Sequence, residues 1–222
     1  MEEHIVKILS VEPVTHNVKR FKIEKPAGYK YIPGQATEVV VNKPQWTNER
    51  RPFTFTSLNE WDHLEFTIKI YADHDGVTNQ LGQLKQGDEL LLHEVWGAIQ
   101  YKGVGVFIAG GAGVTPFIAI LRQLQHDHKL DGNTLLFSNK THKDIILKDE
   151  FSAMLGTRFI NTLTQENLPG YDYHIIDEEY LRKKINNFDQ HFYICGPDKM
   201  VKEIQQILTK LTGKDALITV EL

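Results

Sequence analysis

Sulfur is scarce in this chain, which has one cysteine, Cys195, among its 222 residues. A disulfide needs two cysteines and an iron–sulfur cluster is usually held by about four thiolates, so the sequence provides for neither. The longest apolar run, at residues 104–109, is far shorter than the roughly 20 residues that span a bilayer. The acidic start, Met1-Glu2-Glu3-His4, is not followed by an apolar stretch of signal-peptide length. We therefore expect a cytoplasmic protein without a membrane segment.

Excess charge of one sign is absent as well. The chain has 25 lysines and arginines against 29 aspartates and glutamates, a net charge of -4. Nucleic-acid binding usually needs a basic face, so no nucleic-acid partner is expected. The densest histidine cluster, His126-Asp127-His128, has no further ligand at zinc-site spacing, which favours a solvated surface and predicts no metal site. The expected oligomeric state is a monomer.

The first hundred residues have the alternating apolar pattern of β-strands, with Gly, Pro and Asn between the runs. Strands are predicted at residues 4–14, 18–24, 36–41, 51–57, 63–71 and 89–95, with one helix at 76–84. Short, regularly spaced strands of this kind favour an antiparallel barrel or sandwich.

From residue 104 onward, strands alternate with helices. Strands are predicted at residues 104–109, 133–138, 158–163, 191–195 and 216–220, and helices at 116–125, 148–155, 178–185 and 199–211. Such alternation predicts a parallel sheet covered on both faces. The sequence therefore predicts two domains, an antiparallel β-barrel at residues 1–101 followed by an open parallel α/β sheet at residues 102–222.

The most specific segment is Gly110-Gly111-Ala112-Gly113-Val114-Thr115-Pro116, called the glycine loop below. It ends a predicted buried strand and opens a helix, where unpaired N–H groups can bind an anion and glycines let the backbone approach a pyrophosphate. The spacing differs from the G-x-G-x-x-G dinucleotide pattern, and a tight turn without a ligand is the alternative. The context favours a nucleotide site.

Two further segments carry candidate chemistry. Cys195-Gly196-Pro197, the cysteine segment, ends a predicted parallel strand, at the sheet edge where α/β proteins bind ligands. A lone buried cysteine is, however, usually a small apolar filler. Arg51-Pro52-Phe53-Thr54, the arginine segment, combines a guanidinium that suits phosphate with a flat ring and a hydroxyl. Taken alone, it is more typical of an ordinary strand with a surface arginine.

Together with Pro33-Gly34-Gln35 and Gly76-Val77-Thr78, these three segments resemble the ferredoxin–NADP reductase-like superfamily of flavin-dependent reductases. The resemblance extends from about Val6 to the C-terminus and rests on the order and spacing of five motifs. It implies a flavin-binding barrel and a nicotinamide nucleotide domain. Hydride would pass from NADPH or NADH to FAD, the cofactors supplying the ring chemistry and the protein their orientation.

On the flavin side, the resemblance implies that Arg51 holds the flavin phosphate. Phe53, next to Pro52, would lie against the isoalloxazine or its ribityl chain, and Thr54 would hydrogen-bond N5, the hydride-accepting atom. The backbone of Gly76, Val77 and Thr78 would bind the pyrophosphate.

On the coenzyme side, the implied nucleotide-binding residues are Gly110, Gly111, Ala112, Gly113, Val114, Thr115 and Pro116. Cys195, followed by Gly196 and Pro197, would lie near the nicotinamide ring. Glu221 matches a glutamate close to the active site, with Thr54 as its neighbour. Thr54, Cys195 and Glu221 are therefore the predicted catalytic residues.

Two choices of cofactor stay open. His93-Glu94-Val95-Trp96-Gly97 replaces the commoner Gly-Pro-x-Gly, so Trp96 would either stack on the adenine of FAD or pack between the domains, and FMN is the alternative flavin. Thr164-Gln165-Glu166 stands where NADPH-specific relatives have Ser-Arg. Glu166 would repel a 2′-phosphate, whereas Lys140 and Lys143 would attract one.

The leading hypothesis for function is a flavoprotein reductase that passes single electrons from FAD to a flavodoxin or ferredoxin. One alternative is a reductase of free flavins or small molecules. The other is a non-catalytic nucleotide-binding module on the same fold.

Overall fold

The computed structural model describes residues 3–73, 75–97 and 99–221. Its first half forms an antiparallel sheet of six strands in the order β4-β3-β6-β1-β2-β5. The strands are β1 (His4–Thr15), β2 (Val18–Glu24), β3 (Ala36–Val41), β4 (Arg51–Thr54), β5 (His63–Lys69) and β6 (Glu89–Trp96), with helix α1 (Val77–Gln83) between β5 and β6.

The chain that leaves β4 closes this sheet into a barrel. Phe55 forms a β-bridge with Phe66 of β5, the other edge strand, and the two rings stack 5.1 Å apart. Both rings are fully buried in the barrel core together with Leu64 and Val39. The apolar alternation in the sequence follows from this closure, since inward residues pack and outward residues meet solvent or the second domain. The predicted antiparallel barrel is confirmed.

The predicted strand at residues 51–57 is too long, because β4 ends at Thr54. The Thr56 N–H still donates to the Glu65 carbonyl at 2.8 Å. The next bonds between the two segments are made by side chains. The Ser57 hydroxyl accepts from the Glu65 N–H at 2.9 Å, and the Thr56 hydroxyl donates to the Glu65 carboxylate at 2.8 Å. Side-chain hydrogen bonds of this kind compete with the regular strand ladder.

The second half forms a six-stranded sheet in the order β10-β9-β8-β7-β11-β12, and every strand pair in it is parallel. Its strands are β7 (Gly105–Gly110), β8 (Thr134–Asn139), β9 (Phe159–Leu163), β10 (Asp172–Tyr173), β11 (His191–Cys195) and β12 (Ile218–Glu221). Its helices are α2 (Thr115–His126), α3 (Lys148–Leu155), α4 (Glu178–Lys184) and α5 (Asp198–Thr212).

Successive residues of the central strands face opposite sides of this sheet. Phe107 packs with α2 and α3, whereas Ile108 packs with α4 and α5. This two-sided burial explains the continuous apolar runs and confirms the predicted open parallel sheet. The two-residue strand β10 escaped prediction because it is too short to show a periodicity.

The two halves pack directly against each other. Val18 of the barrel and Ile99 of the connecting segment are buried in the core formed by β7, α2 and α3. Tyr101, the last residue of the predicted first domain, packs against the core of the second half. The boundary at residues 101/102 therefore stays a prediction. Within the described residues, none of the helices combines the length and the apolar character needed to cross a membrane.

Candidate functional site

A cavity of about 540 Å³ lies where the carboxyl ends of β7, β8 and β11 face the barrel. The parallel sheet contributes residues 110–113 of the glycine loop, the end of β8, and Gly196 and Pro197 of the cysteine segment to its wall, whereas Cys195 lies beside the lining. The barrel contributes polar and aromatic side chains from β1–β2 and the end of β5. The lining includes Gly110, Gly111, Ala112, Gly113, Ser138, Asn139, Gly196, Pro197, Asn17, Lys69 and Tyr71.

The glycine loop and the cysteine segment touch backbone to backbone in this wall. A Cβ atom on Gly113 would lie 2.5 Å from the carbonyl carbon and oxygen of Cys195. A Cβ on Gly110 would lie 2.6 Å from Sδ of Met200 and 2.9 Å from Cδ of Pro197. At Gly113 the neighbouring atoms belong to the backbone, so only glycine permits this approach. The structure thus brings together the two segments that the sequence assigned to one sheet edge, while their ligand contacts stay predictions.

The glycine loop opens helix α2 with a tight turn. Residues Gly111–Val114 form a 3₁₀ turn, and Gly111 has a φ of 52°, in the left-handed region that favours glycine. The Thr115 hydroxyl donates to the Ala112 carbonyl at 3.0 Å, so this side chain is used within the turn. A ligand here would therefore meet backbone N–H groups at a helix N-terminus, which suit an anion such as a pyrophosphate.

Cys195 and Glu221 are direct partners across the β11–β12 ladder. Burial raises the pKa of the Cys195 thiol to about 12, and the nearby Glu221 carboxylate adds to this shift. Burial also raises the pKa of Glu221, whose Oε2 is buried without a hydrogen-bond partner among the described residues. The thiol is therefore protonated near neutral pH, which suits a polarisable contact surface and not a nucleophile.

The arginine segment lies on β4, outside the lining of this cavity. Arg51 and Pro52 are exposed, and Phe53 and Thr54 are half-buried beside Thr37 and Ala36 of β3. The Arg51 guanidinium lies 3.3 Å from the Glu49 carboxylate and donates to the Arg50 carbonyl at 2.7 Å. Half of its side chain is exposed, so an incoming phosphate can replace Glu49 as its partner.

The third predicted flavin segment opens the short helix α1. Gly76 precedes the helix in an extended conformation, Val77 is buried and Thr78 is half-buried. The first N–H groups of a helix have no intrahelical acceptor, so Val77 and Thr78 can present theirs to a ligand. The structure does not bring this segment into the cavity of the glycine loop.

Sequence reasoning missed Arg122, which joins the barrel to α2. Its guanidinium donates to the Thr56 carbonyl at 2.6 Å and to the Glu65 carboxylate at 2.7 Å in the barrel. It also forms a two-point pair with Glu150 of α3, at 2.5 and 2.9 Å. Burial alone would lower the pKa of Arg122, but its carboxylate partners raise it, so the charge is retained. No spacing rule links partners that are 57 residues apart.

Asn139, at the end of β8, was also missed. Its side chain is 4% exposed, and neither amide atom has a hydrogen-bond partner among the described residues. Asn133, just before the start of the same strand, is equally buried but fully used: it accepts from the Gly105 N–H at 3.1 Å and donates to the Leu130 carbonyl at 3.2 Å. Unpaired buried amides are rare, so the cavity wall at Asn139 is not optimised for stability.

These two asparagines give a matched prediction. Asn133→Leu should lower the free energy of unfolding by about 1–3 kcal/mol, because it leaves the buried Gly105 N–H without its acceptor. Asn139→Leu should leave it unchanged or raise it, because no protein partner is lost. Urea denaturation of both variants without ligands measures the difference. An equal loss in both would show that Asn139 has a partner in solution that stabilises the fold.

The histidine cluster contributes nothing to the cavity. His126 is exposed and pairs with Asp127, as expected for a solvated surface. Across residues 3–73, 75–97 and 99–221, no group of three or more His, Cys, Asp or Glu side chains is placed to hold a metal ion.

Comparison with known proteins agrees with this geometry. Residues 107–206 match the family described as Oxidoreductase NAD-binding domain. The chain is 27% identical over 218 residues to NADH-cytochrome b5 reductase 2 of Mycosarcoma maydis, covering 87% of this chain and 61% of the relative. It is 26% identical over 246 residues to NADH-cytochrome b5 reductase 1 of Homo sapiens, covering 90% and 79%.

A solved structure shares the whole fold. It is a ferredoxin NADP+ reductase from Neisseria gonorrhoeae with bound FAD and NADP, with a TM-score of 0.86, 23% identity and coverage of 100% of this chain and 98% of that chain. The chain spans about three fifths of the Mycosarcoma maydis reductase, 61% of its length. The solved structure thus supports the two-domain fold, and the family match lies within the second half of the chain.

Proposed function

The chain belongs to the ferredoxin–NADP reductase-like superfamily, and we propose that it is a flavin-dependent NAD(P)H oxidoreductase. In this proposal it takes hydride from NADPH or NADH onto bound FAD and passes single electrons to a flavodoxin or ferredoxin. The observation that carries it is the cavity between the sheet edge and the barrel, where the glycine loop meets the cysteine segment. The relatives named as cytochrome b5 reductases favour cytochrome b5 as a second candidate acceptor.

The barrel residues fit a flavin in three respects. Arg51 offers a half-exposed guanidinium to the phosphate, Phe53 offers a ring face, and the start of α1 offers backbone N–H groups. From the parallel sheet, Glu221 on β12 adds a buried Oε2 that has no hydrogen-bond partner among the described residues. FAD, when bound, supplies the chemistry that converts a two-electron hydride donor into a one-electron donor.

The sheet edge would hold the coenzyme. The glycine loop binds the pyrophosphate through backbone N–H groups, and the neutral Cys195 thiol forms a soft surface for the nicotinamide ring. Neither group needs to accept a proton, because hydride moves with its electron pair. The protein contributes chiefly by holding donor and acceptor in a reactive geometry, which can supply several orders of magnitude in rate.

Reconstitution with FAD tests the proposal. The purified protein should take up FAD and show the yellow absorbance of an oxidised flavin, which anaerobic NADH or NADPH should bleach. Parallel titrations with the two coenzymes would settle which is preferred. Protein that stays colourless with excess FAD would favour a non-catalytic nucleotide-binding module.

Steady-state rates identify the acceptor. Rates with flavodoxin, ferredoxin, cytochrome b5 and free FMN should be compared at equal concentrations. Faster reduction of flavodoxin or ferredoxin than of free FMN would support the proposed acceptor. The reverse order would favour a reductase of free flavin. The expectations of a cytoplasmic monomer that binds no nucleic acid stay predictions.

A further inference from the structure

Arg122 connects helix α2, which begins at the glycine loop, to the barrel segment that follows Thr54. Helix α2 begins at Thr115, within the C-terminal end of the glycine loop, and Arg122 lies two turns further along it. At a rise of about 1.5 Å per residue, the guanidinium is attached roughly 10 Å from the loop. Its acceptor in the barrel, the Thr56 carbonyl, is two residues beyond Thr54. One rigid helix and one side chain therefore link the two halves of the proposed hydride path.

The contact is built from buried, charge-assisted hydrogen bonds. Arg122 is 8% exposed and Glu65 only 2%. Glu65 also accepts from the Thr56 hydroxyl at 2.8 Å and lies 3.6 Å from Nε of Arg20, so its carboxylate is held from several sides. The Trp61 ring covers the guanidinium at 5.2 Å. Such bonds are short and directional, so they fix orientation as well as distance.

The buried charges of Arg122 and Glu65 are not needed merely to hold the two domains together. Apolar contacts already join the halves through Val18, Ile99 and the approach of Gly34 to Ile120. Buried ion pairs often give no more stability than apolar side chains of similar size, but they do specify a unique arrangement in some proteins. The polar contact is made to Thr56, two residues beyond Thr54, and therefore close in sequence to the proposed flavin-binding strand.

We propose that Arg122 and Glu65 form a positioning contact that sets the nicotinamide against the flavin, so that losing it slows hydride transfer without weakening either cofactor's binding. This inference rests on the proposed function. The direct bonds of Arg122 reach neither the glycine loop nor Arg51, so cofactor affinities should survive its loss. A misplacement of about 1 Å can cost on the order of 100-fold in rate.

The network contains its own control. Glu65 holds Arg122 from the barrel, whereas Glu150 holds it from α3, within the same domain as α2. Glu65→Gln weakens the bond of Arg122 to the barrel, whereas Glu150→Gln weakens only its pair within the second domain and leaves its bonds to Thr56 and Glu65 in place. Arg122→Met removes the contact altogether. Arg122→Lys keeps a cation that can still donate to the Thr56 carbonyl, and should restore part of the loss.

Stopped-flow reduction of the FAD-loaded protein by NADH and NADPH gives a limiting rate and a coenzyme Kd for each variant. We expect the limiting rate to fall at least about 10-fold in Arg122→Met and Glu65→Gln, and by less than about threefold in Glu150→Gln. The coenzyme Kd and the FAD Kd should change less than about threefold in all variants. Equal slowing in Glu150→Gln and Glu65→Gln, or a loss that follows the Kd values, would overturn the proposal.

A second readout needs no cofactor. Hydrogen exchange of the apo protein should become faster at residues 54–58 and in α2 in Arg122→Met and Glu65→Gln, but not in Glu150→Gln. Unchanged exchange in Arg122→Met and Glu65→Gln would also refute the positioning contact. If Arg122→Met does not fold, Glu65→Gln and Arg122→Lys carry both measurements. If NAD(P)H cannot reduce the flavin of the wild-type protein, the proposed function is refuted. The hydrogen-exchange result would still test the contact between Arg122 and the barrel.

Discussion

Replacing Gly113 by alanine is expected to weaken the binding of NAD+ or NADP+ by about 10- to 100-fold. The added Cβ would lie 2.5 Å from the backbone of both Cys195 and Gly196, and neither neighbour is a flexible side-chain tip that could move aside. The clash can be relieved only by moving the glycine loop away from the cysteine segment, and each backbone N–H displaced from the coenzyme phosphates loses about 0.5–1.5 kcal/mol of binding, so two such bonds account for that loss. Flavin uptake should be unchanged, because the barrel is untouched. Isothermal titration calorimetry with each coenzyme measures the effect.

Gly156→Ala is the matched control for that variant. Gly156 has a φ of 55°, so alanine is strained there, but its Cβ would meet nothing within 4 Å. Gly156 lies beyond α3, outside the lining of the cavity. Gly156→Ala should cost about 1–3 kcal/mol of stability without any change in coenzyme affinity. If the two variants bind coenzyme equally well, the close approach of the glycine loop to the cysteine segment does not shape the coenzyme site.

The fold was largely predictable because its information is local. Period-two alternation located the barrel strands, and continuous apolar runs located the central parallel strands, since each pattern reflects which faces are buried. Errors arose where the deciding contacts are distant. The strand at residue 51 was extended to Ser57 because its sequence is β-prone, and only the side-chain bonds to Glu65 show why the ladder stops.

The site divides in the same way. A general rule about parallel sheets placed the glycine loop and Cys195 at one edge, and the structure has them in contact. Nothing in the sequence relates Arg122 to Glu65, because a buried ion pair between a helix and a strand has no characteristic spacing. Asn139 was overlooked for a smaller reason: the predicted strand ended at Ser138, one residue before it. What a polar residue does at a strand end depends on whether its partners are present, which only the structure reveals.

Replacing Arg51 by alanine should raise the Kd for FAD by about 10- to 100-fold. The proposed phosphate contact consists of charge-assisted hydrogen bonds, and losing such a bond costs about 1.5–3 kcal/mol. The free energy of unfolding should change by less than about 1 kcal/mol, because the ion pair between Arg51 and Glu49 is half-exposed and surface pairs contribute little. Flavin fluorescence during titration of the apo protein with FAD gives the affinity, and urea denaturation gives the stability.

The neighbouring arginine supplies the control for Arg51. Arg50 is similarly exposed and pairs with Glu38 at 3.2 Å, but it lies just before β4, outside the segment assigned to the phosphate. Arg50→Ala removes the same charge from the same surface, so it reports any general attraction between a basic patch and the flavin phosphates. If Arg51 binds the phosphate directly, its loss must cost at least several times more affinity than the loss of Arg50. Equal effects would mean that the barrel attracts the flavin by its overall charge, and that the phosphate contact lies elsewhere.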